Sequence, residues 1–445
     1  MTSHRGPGRN LALAVVFALL TASCSPAVWV RPTEGNCVNA EGASWSAKAR
    51  NSLVFASYRP GKVYDIDRKN RPVNFRIGAL PTDSKAVLSY PDTTRFGGGD
   101  SGFEQMRGRS FVYDDALAVL WLTASGDQTT ARQVLQSLAA LQRPDGAWGF
   151  GFQVQGDGFY NMAYVRAGAV AWVVYAFARY QSVFHDDRFA AHLRRGVRWL
   201  LSQRDDATGL IFAGSGRWID DTHFEPEFIA NFAATEHQID AWFALRAAAD
   251  ADAALTAELQ PNFVADALAA AIENRLWLEG DGHYAQGASA TAIDRRSALD
   301  AAGTWAAIYA LAHANPTRAD DLLRYVDKAH NLTIGGWTGW RPYLTEPPPT
   351  WFVEGSMAIP LVQMRLGNRD AAKTVFQRFI DLACSAGVPL VYSPGWFEDF
   401  PLSPAVAPTV WFLFAASEIL EGEPAFLWNE TALLGGKPPP ARATR

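Results

Sequence analysis

The chain has 445 residues, of which 49% are apolar, 12% aromatic and 19% charged, and its formal net charge is −5. This much apolar surface closes a core, which excludes disorder for most of the chain, and a sequence pI near 5.9 argues against a nucleic-acid binder of the basic-patch kind. Three cysteines in so long a chain exclude a small disulfide scaffold, and one apolar run near the N-terminus excludes a multi-span membrane protein.

That first run reads as an export signal. Arg5 and Arg9 supply a positive start, and residues 11–20 form an apolar stretch of the usual length. Thr21-Ala22-Ser23-Cys24 then resembles a bacterial lipobox, with the usual leucine one place early as Leu20. The expectation is a signal peptide over residues 1–23, lipidation of Cys24, a linker over 24–42 and a membrane-anchored, exported lipoprotein. An oxidising compartment permits a disulfide between Cys37 and Cys384.

From about residue 110 two kinds of helical run alternate. Residues 111–124, 167–178, 239–249, 299–312, 353–366 and 405–419 are apolar nearly all round. Between them 129–141, 187–201, 262–276, 317–330 and 369–382 are amphipathic, and 43–58 supplies a sixth such helix. A helix apolar on every side must be covered on every side, whereas an amphipathic helix covers one neighbour and meets water with its other face. Six covered helices and six covering ones predict an all-α, single-domain (α/α)6 toroid over residues 43–435, with a repeat of roughly 55 to 65 residues. Period-two alternation is nearly absent. Residues 59–110, rich in Gly, Pro, Asp and Ser, are expected as a long ordered loop over one rim. The proline-rich end, 436–445, is expected as a disordered tail.

The functional signal is where the acids fall. The inner helices run parallel, so their N-termini share a rim, and most begin with carboxylates: Asp114 and Asp115, Glu236 and Asp240, Asp294 to Asp300, Glu354, and Glu398 with Asp399. The second carries Tyr160, Tyr164 and Arg166 instead. Glycosidic cleavage needs two carboxyl groups across the scissile bond, one protonated and one ionised. Aromatic faces bind sugar rings, and Trp218, Trp337, Trp340, Trp351 and Trp396 fall in loops. Acids at helix N-termini are also favoured by the macrodipole and by capping alone. Glu236, Glu354 and Asp114 are the catalytic candidates. Tyr113, Asp115, His237, Asp240, Asp300, Trp218, Trp340, Trp351 and Trp396 are the candidates for binding substrate, with Asp240 one turn beyond Glu236 and placed to tune it. Trp172, Trp305 and Trp411 read as core.

Tyr113-Asp114-Asp115-Ala116-Leu117-Ala118 before a Gly-Asp break, Thr235-Glu236-His237-Gln238-Ile239-Asp240, Leu299-Asp300 and Trp351-Phe352-Val353-Glu354-Gly355 resemble segments of bacterial six-hairpin glycosidase-like proteins. The resemblance runs over roughly residues 105–420. It implies an (α/α)6 toroid acting on a poly- or oligosaccharide, and does not assign acid or base. The expected activity is an inverting glycoside hydrolase, with Glu236 or Glu354 as general acid and Asp114 or the other glutamate as base. A polysaccharide lyase using His237, Tyr164, Arg166 and Arg341, or a non-catalytic glycan-binding lipoprotein, are the alternatives. A terpene cyclase is disfavoured because Asp-x-Asp-Asp is absent. No metal-ligand spacing and no nucleotide fingerprint is present, so neither metal nor cofactor is expected.

Overall fold

The computed structural model describes residues 30–32, 45–57, 83–92, 108–154, 164–220, 223–344, 350–395, 402–423 and 426–428, with strands at 63–66, 72–77 and 159–162. The expected signal peptide, Cys24, the expected tail and all of the expected linker except residues 30–32 lie outside them.

The alternation of buried and half-buried runs becomes a two-layer arrangement of helices. After α1 (Trp45–Asn51), the helix α2 (Val112–Ala124) is backed by α3 (Gln128–Leu141), and α4 (Ala167–Phe184) by α5 (Ala190–Ser202). Then α6 (Thr235–Ala251), followed by the short α7 (Ala253–Leu259), is backed by α8 (Pro261–Arg275). A π-helical turn, Asp300–Thr304, leads into α9 (Trp305–Ala312), which α10 (Pro316–Ala329) covers. The short α11 (Val353–Ser356) precedes α12 (Ala358–Arg365), covered by α13 (Arg369–Ala386), and α14 (Val406–Ile419) rests on α1. The inner helices α2, α4, α6, α9, α12 and α14 touch in that order, and α14 touches α2 again. The amphipathic α5 buries Leu193, Val197 and Leu200 and turns Arg194 and Arg198 outward, where they pair with Asp252 and Glu258.

Two breaks have local causes. Pro360 has no N–H for the carbonyl of Ser356 and its ring crowds that group, so the fifth inner run divides at Met357 into α11 and α12. In the fourth, a Cβ on Gly303 would stand 1.9 Å from Val326 Cγ2 of α10, so only glycine lets the π turn approach its covering helix.

The segment expected as a loop departs from that reading. Residues 72–77, 63–66, 159–162, 151–153 and 109–111 form a five-stranded sheet, and 55–57 pairs with 85–87. These strands are only 3 to 6 residues long, too short for an alternation to emerge from the sequence. The sixth covering helix is likewise shorter than the run that predicted it.

The ring's interior is filled by rings of another kind. Trp172, Trp305 and Trp411 meet there, with Trp305 and Trp411 stacked at 5.7 Å. Trp428, which follows the last helix, enters among them. It stacks on Trp172 at 4.8 Å and on Phe243 at 4.7 Å and meets Trp305 and Trp411 edge-on. Its carbonyl and that of Leu427 accept from Arg365, itself paired with Glu418. The backbone at Trp428 is left-handed, with φ 48°, a conformation that a bulky residue holds only where its surroundings fix it. Trp428→Ala should therefore cost about 3–5 kcal/mol and lower the thermal midpoint by several degrees. Phe263→Ala, whose ring is 69% exposed, should leave the midpoint unchanged.

Candidate active site

The carboxyl groups at the starts of the inner helices are not caps. The N-cap residues of α2, α6 and α11 and of the π turn are Phe111, Ala234, Phe352 and Leu299, none with a side-chain cap bond. The acids stand just inside these caps, in the first turn of each element.

Glu354, in the first turn of α11, is 3% exposed. Its Oε1 accepts a short hydrogen bond from the Tyr113 hydroxyl of α2. Tyr392, in the segment before α14, bonds the same carboxyl. Tyr113 in turn accepts from Trp411 Nε1 at 3.1 Å. Burial, followed by the nearby Asp114 and Asp300, pushes Glu354 up to about 8 despite the two tyrosine bonds. Asp114 is buried, bonded to Ser89, and raised to about 7, chiefly by burial.

Glu236 begins α6 on another side of the mouth. Its side chain is 27% exposed, yet Oε2 is buried and has no hydrogen-bond partner. Burial and then Asp300 raise it to about 8. Asp240, one turn on, is buried and bonded to the Trp172 indole. It is raised well above the usual range by burial, then by Glu236, Asp300 and Glu354. Asp300 takes the N–H of Ala301 at 2.7 Å and is also raised by burial. Asp240 and Asp300 thus lie within electrostatic reach of both glutamates.

His237 stands beside Glu236, Nε2 to Oε1 3.9 Å. Its Nδ1 is buried and unbonded, and burial followed by the Arg166 charge lowers it to about 3, so the imidazole is neutral. The ring fits only because α4 carries Gly168 in its first turn: a Cβ there would lie 2.3 Å from His237 Cδ2 and 2.7 Å from Asp240 Oδ2. Arg166, the residue before α4, lays its guanidinium over Tyr164 at 4.7 Å, and Tyr164 stacks on Phe150 at 4.9 Å.

Four residues expected at the substrate are instead part of the packing. Asp115 is fully buried and faces away: Oδ1 accepts the N–H of Val87 and Oδ2 the hydroxyl of Ser110, both at 2.8 Å, so it ties the strand 85–87 to α2. Trp351 is fully buried, flat against Gly339 where a Cβ would come within 2.4 Å. Trp340 is 2% exposed under Arg378. Neither ring offers a face to a sugar, nor does Trp337, which is buried and donates to the Val30 carbonyl. Loop position does not imply exposure when the loop is itself a packed hairpin, here 331–334 against 337–340. Arg341 also serves structure, donating to Ala329 O. Trp218 lies in the strand Gly214–Asp220 with its side chain outside the described set, and Trp396, Glu398 and Asp399 lie outside the described residues. Trp172, Trp305 and Trp411 are core, as their sequence context implies.

Nothing local in the sequence marks Tyr392, which bonds Glu354 and lies near Asp114, or Tyr90 and Tyr343, which lie near Tyr392. With Tyr164 they share only their place, in the segments between a covering helix and the next inner one. Cys384 is disulfide-bonded, and its partner lies outside the described residues. Among the described residues no His, Cys, Asp and Glu are grouped to hold a metal ion, and no helix is long and apolar enough to cross a membrane.

No protein-family model matches the sequence, nor does any curated protein. Solved structures do share the fold. A wild-type glycosidase is 13% identical with a TM-score of 0.52, covering 75% of this chain and 91% of its own. A variant glycosidase solved with glucose matches over the same extent with the same score. A D-mannose isomerase is 11% identical, also with a TM-score of 0.52, covering 71% of this chain and 88% of its own.

The electrostatics give a test of the site that needs no substrate. A carboxyl whose folded pKa is raised favours the neutral form. Its cost to stability is absent below the unfolded value, near 4, and grows as pH rises toward the folded value. Glu236→Gln removes that cost. It should stabilise the protein at pH 7 by about 1–3 kcal/mol, and the gain should vanish as pH falls to about 4. Thermal melts of both proteins across pH 4–8 measure it.

Proposed function

We propose that this chain is an exported glycoside hydrolase built on an (α/α)6 toroid, anchored through Cys24 and acting on a poly- or oligosaccharide with inversion. The observation that carries the reading is the asymmetry of two glutamates at one mouth. Glu354 holds two tyrosine hydroxyls, whereas Glu236 keeps an oxygen with no partner. Hydroxyls that donate to a carboxylate favour its ionised form, and a half-buried carboxyl that no side chain bonds, set among other acids, keeps its proton.

Glu354 is therefore the general base and Glu236 the general acid. Glu236 protonates the glycosidic oxygen as the bond to the anomeric carbon breaks. Glu354 takes a proton from the water that attacks the opposite face of the same carbon. Tyr113, fixed by Trp411, orients Glu354. Asp240 and Asp300, within reach of Glu236, resist a further negative charge there and so help it to keep its proton. Buried acids that repel one another do not ionise together, so the first proton leaves the tyrosine-bonded Glu354 and the second is held on Glu236. His237, neutral, is free to donate or accept at a sugar hydroxyl.

A second reading, a lyase, draws on the closeness of Arg166 to the neutral His237. The two are separated by one experiment, turnover of a glycan panel in 18O-labelled water. Hydrolysis places one 18O in the reducing product, in the inverted anomer on proton NMR. A lyase product carries no label and absorbs through a new double bond. Glu236→Gln and Glu354→Gln should each lower kcat about 100- to 10,000-fold, as loss of general acid or base does, while the melts show intact folds. Full cleavage by the double variant would end the assignment.

The pH profile follows from the same pair. Below the ionisation of Glu354 there is no base, and above that of Glu236 there is no acid. With both groups raised to about 8, and the tyrosine bonds favouring ionisation of Glu354 first, kcat/KM should be bell-shaped with its maximum about pH 7–8, above the acidic range of unperturbed carboxyl pairs.

A further inference from the structure

Arg166, which lies near His237, is a positive group that the proposed hydrolysis does not use. It is half-buried as the N-cap residue of α4, yet no carboxylate among the described residues pairs with it. Of its five N–H donors, Nη1 makes a single long contact, 3.5 Å to the carbonyl of Val165. Tyr164 covers one face of the guanidinium plane, and Tyr164 is itself stacked on Phe150, so the group is held flat with its donor edges free. The backbone beneath is fixed as well. Arg166 pairs with Gly214, where a Cβ would meet the Val165 carbonyl at 2.1 Å. Some other half-buried arginines are paired with carboxylates, as Arg194 is with Asp252 and Arg318 with Glu273, and others lie over packed rings of the core, as Arg179 does over Phe426 and Arg378 over Trp340. A cation kept partly from water without a counter-ion is a cost to the fold, and a rigid, open guanidinium fork matches the two oxygens of a carboxylate or a phosphate.

Resting on the glycosidase reading, we propose that Arg166 is an oxyanion subsite, so that the sugar bound beside Glu236 and His237 carries an anionic substituent. The neighbouring acids do not oppose this. Burial raises Glu236 and Glu354 to about 8, so the cluster still holds protons near pH 7, and His237 is neutral, which leaves Arg166 as the cation an anion meets. Tyr164 adds an aromatic edge beside the same group.

The test is a specificity ratio. Matched aryl glycosides that differ only at C6 — hydroxyl, carboxylate and phosphate — are turned over by the full-length protein, by Arg166→Gln and by Arg166→Lys. The wild type should prefer an anionic glycoside by 10- to 100-fold in kcat/KM, as a charge-assisted pair implies, with the difference mainly in KM and shrinking with salt. Which anion wins identifies a uronide or a phosphorylated sugar. Arg166→Gln should bring the ratio to about one, and Arg166→Lys should keep part of it, since charge survives without the fork. A wild type that favours the neutral glycoside, or a ratio unmoved by Arg166→Gln, overturns the proposal. If no glycoside is cut, the hydrolase reading fails, and tryptophan-fluorescence titration with glucuronate, glucose 6-phosphate and glucose decides the subsite alone. Selective binding of an anion that Arg166→Gln abolishes upholds it, and equal binding of all three, or none, refutes it. Melts of each variant separate misfolding from lost recognition.

Discussion

Everything in this molecule depends on helices that have no polar side. A helix such as α14, whose run Val406–Ile419 is buried almost throughout, has no face to give to water. It must be enclosed by neighbours on both flanks and by a covering helix behind. Six such helices satisfy one another by touching in a cycle, and the amphipathic helices outside carry the charge. The arrangement leaves the middle of the cycle as a space too wide for aliphatic side chains from any one helix, and large indoles fill it. Trp172, Trp305 and Trp411 reach inward from three inner helices, and Trp428 arrives from beyond the last one to complete the packing.

The same constraint decides where chemistry can be placed. Polar groups cannot lie along the inner walls without partners, so they collect at the helix starts, where backbone N–H groups and the helix dipole favour negative charge. Burial then works against that charge. Asp114, Glu236, Asp240, Asp300 and Glu354 are all raised, with burial the largest cause in each case. A set of acids that would be fully ionised in water thus holds protons near neutrality, which is what an acid–base pair needs. The indole filling also supports the site directly: Trp411 donates to Tyr113 and Trp172 is bonded to Asp240. Core and site share residues, and the packing that closes the ring also aims the carboxyl groups.

Much of this was legible in the sequence because helix period and burial are short-range signals. The runs at 111–124, 167–178 and 405–419 became α2, α4 and α14, and Asp240, Glu236, Asp300 and Glu354, from three other helix starts, lie within electrostatic reach of one another. What was not legible depends on long-range pairing. The strand 63–66 lies parallel to 159–162, nearly a hundred residues away, and nothing local marks it. Trp340 and Trp351 have the composition of a sugar platform, and only the hairpin that folds onto them shows that they are buried. Asp115 differs from Asp114 by one position, which is 100° around a helix. That rotation turns it toward Val87 and Ser110 and away from the mouth.

The distinction between the two glutamates shows how little sequence chemistry separates roles. Glu236 and Glu354 are the same residue, each in the first turn of its helix, and each raised to about 8. What differs is the number of donors that each can reach. Glu354 faces Tyr113 from α2 and Tyr392 from the segment before α14, two elements far apart in the chain that the ring closure makes neighbours. Glu236 faces Asp300 and Asp240, which burial also raises, so a negative charge on any one of the three opposes charge on the others. A proton placed anywhere on this cluster therefore finds its lowest free energy away from the tyrosines and beside the acids. The direction of proton flow in the proposed reaction is set by which helices the cycle brings together, not by the identity of the two catalytic side chains.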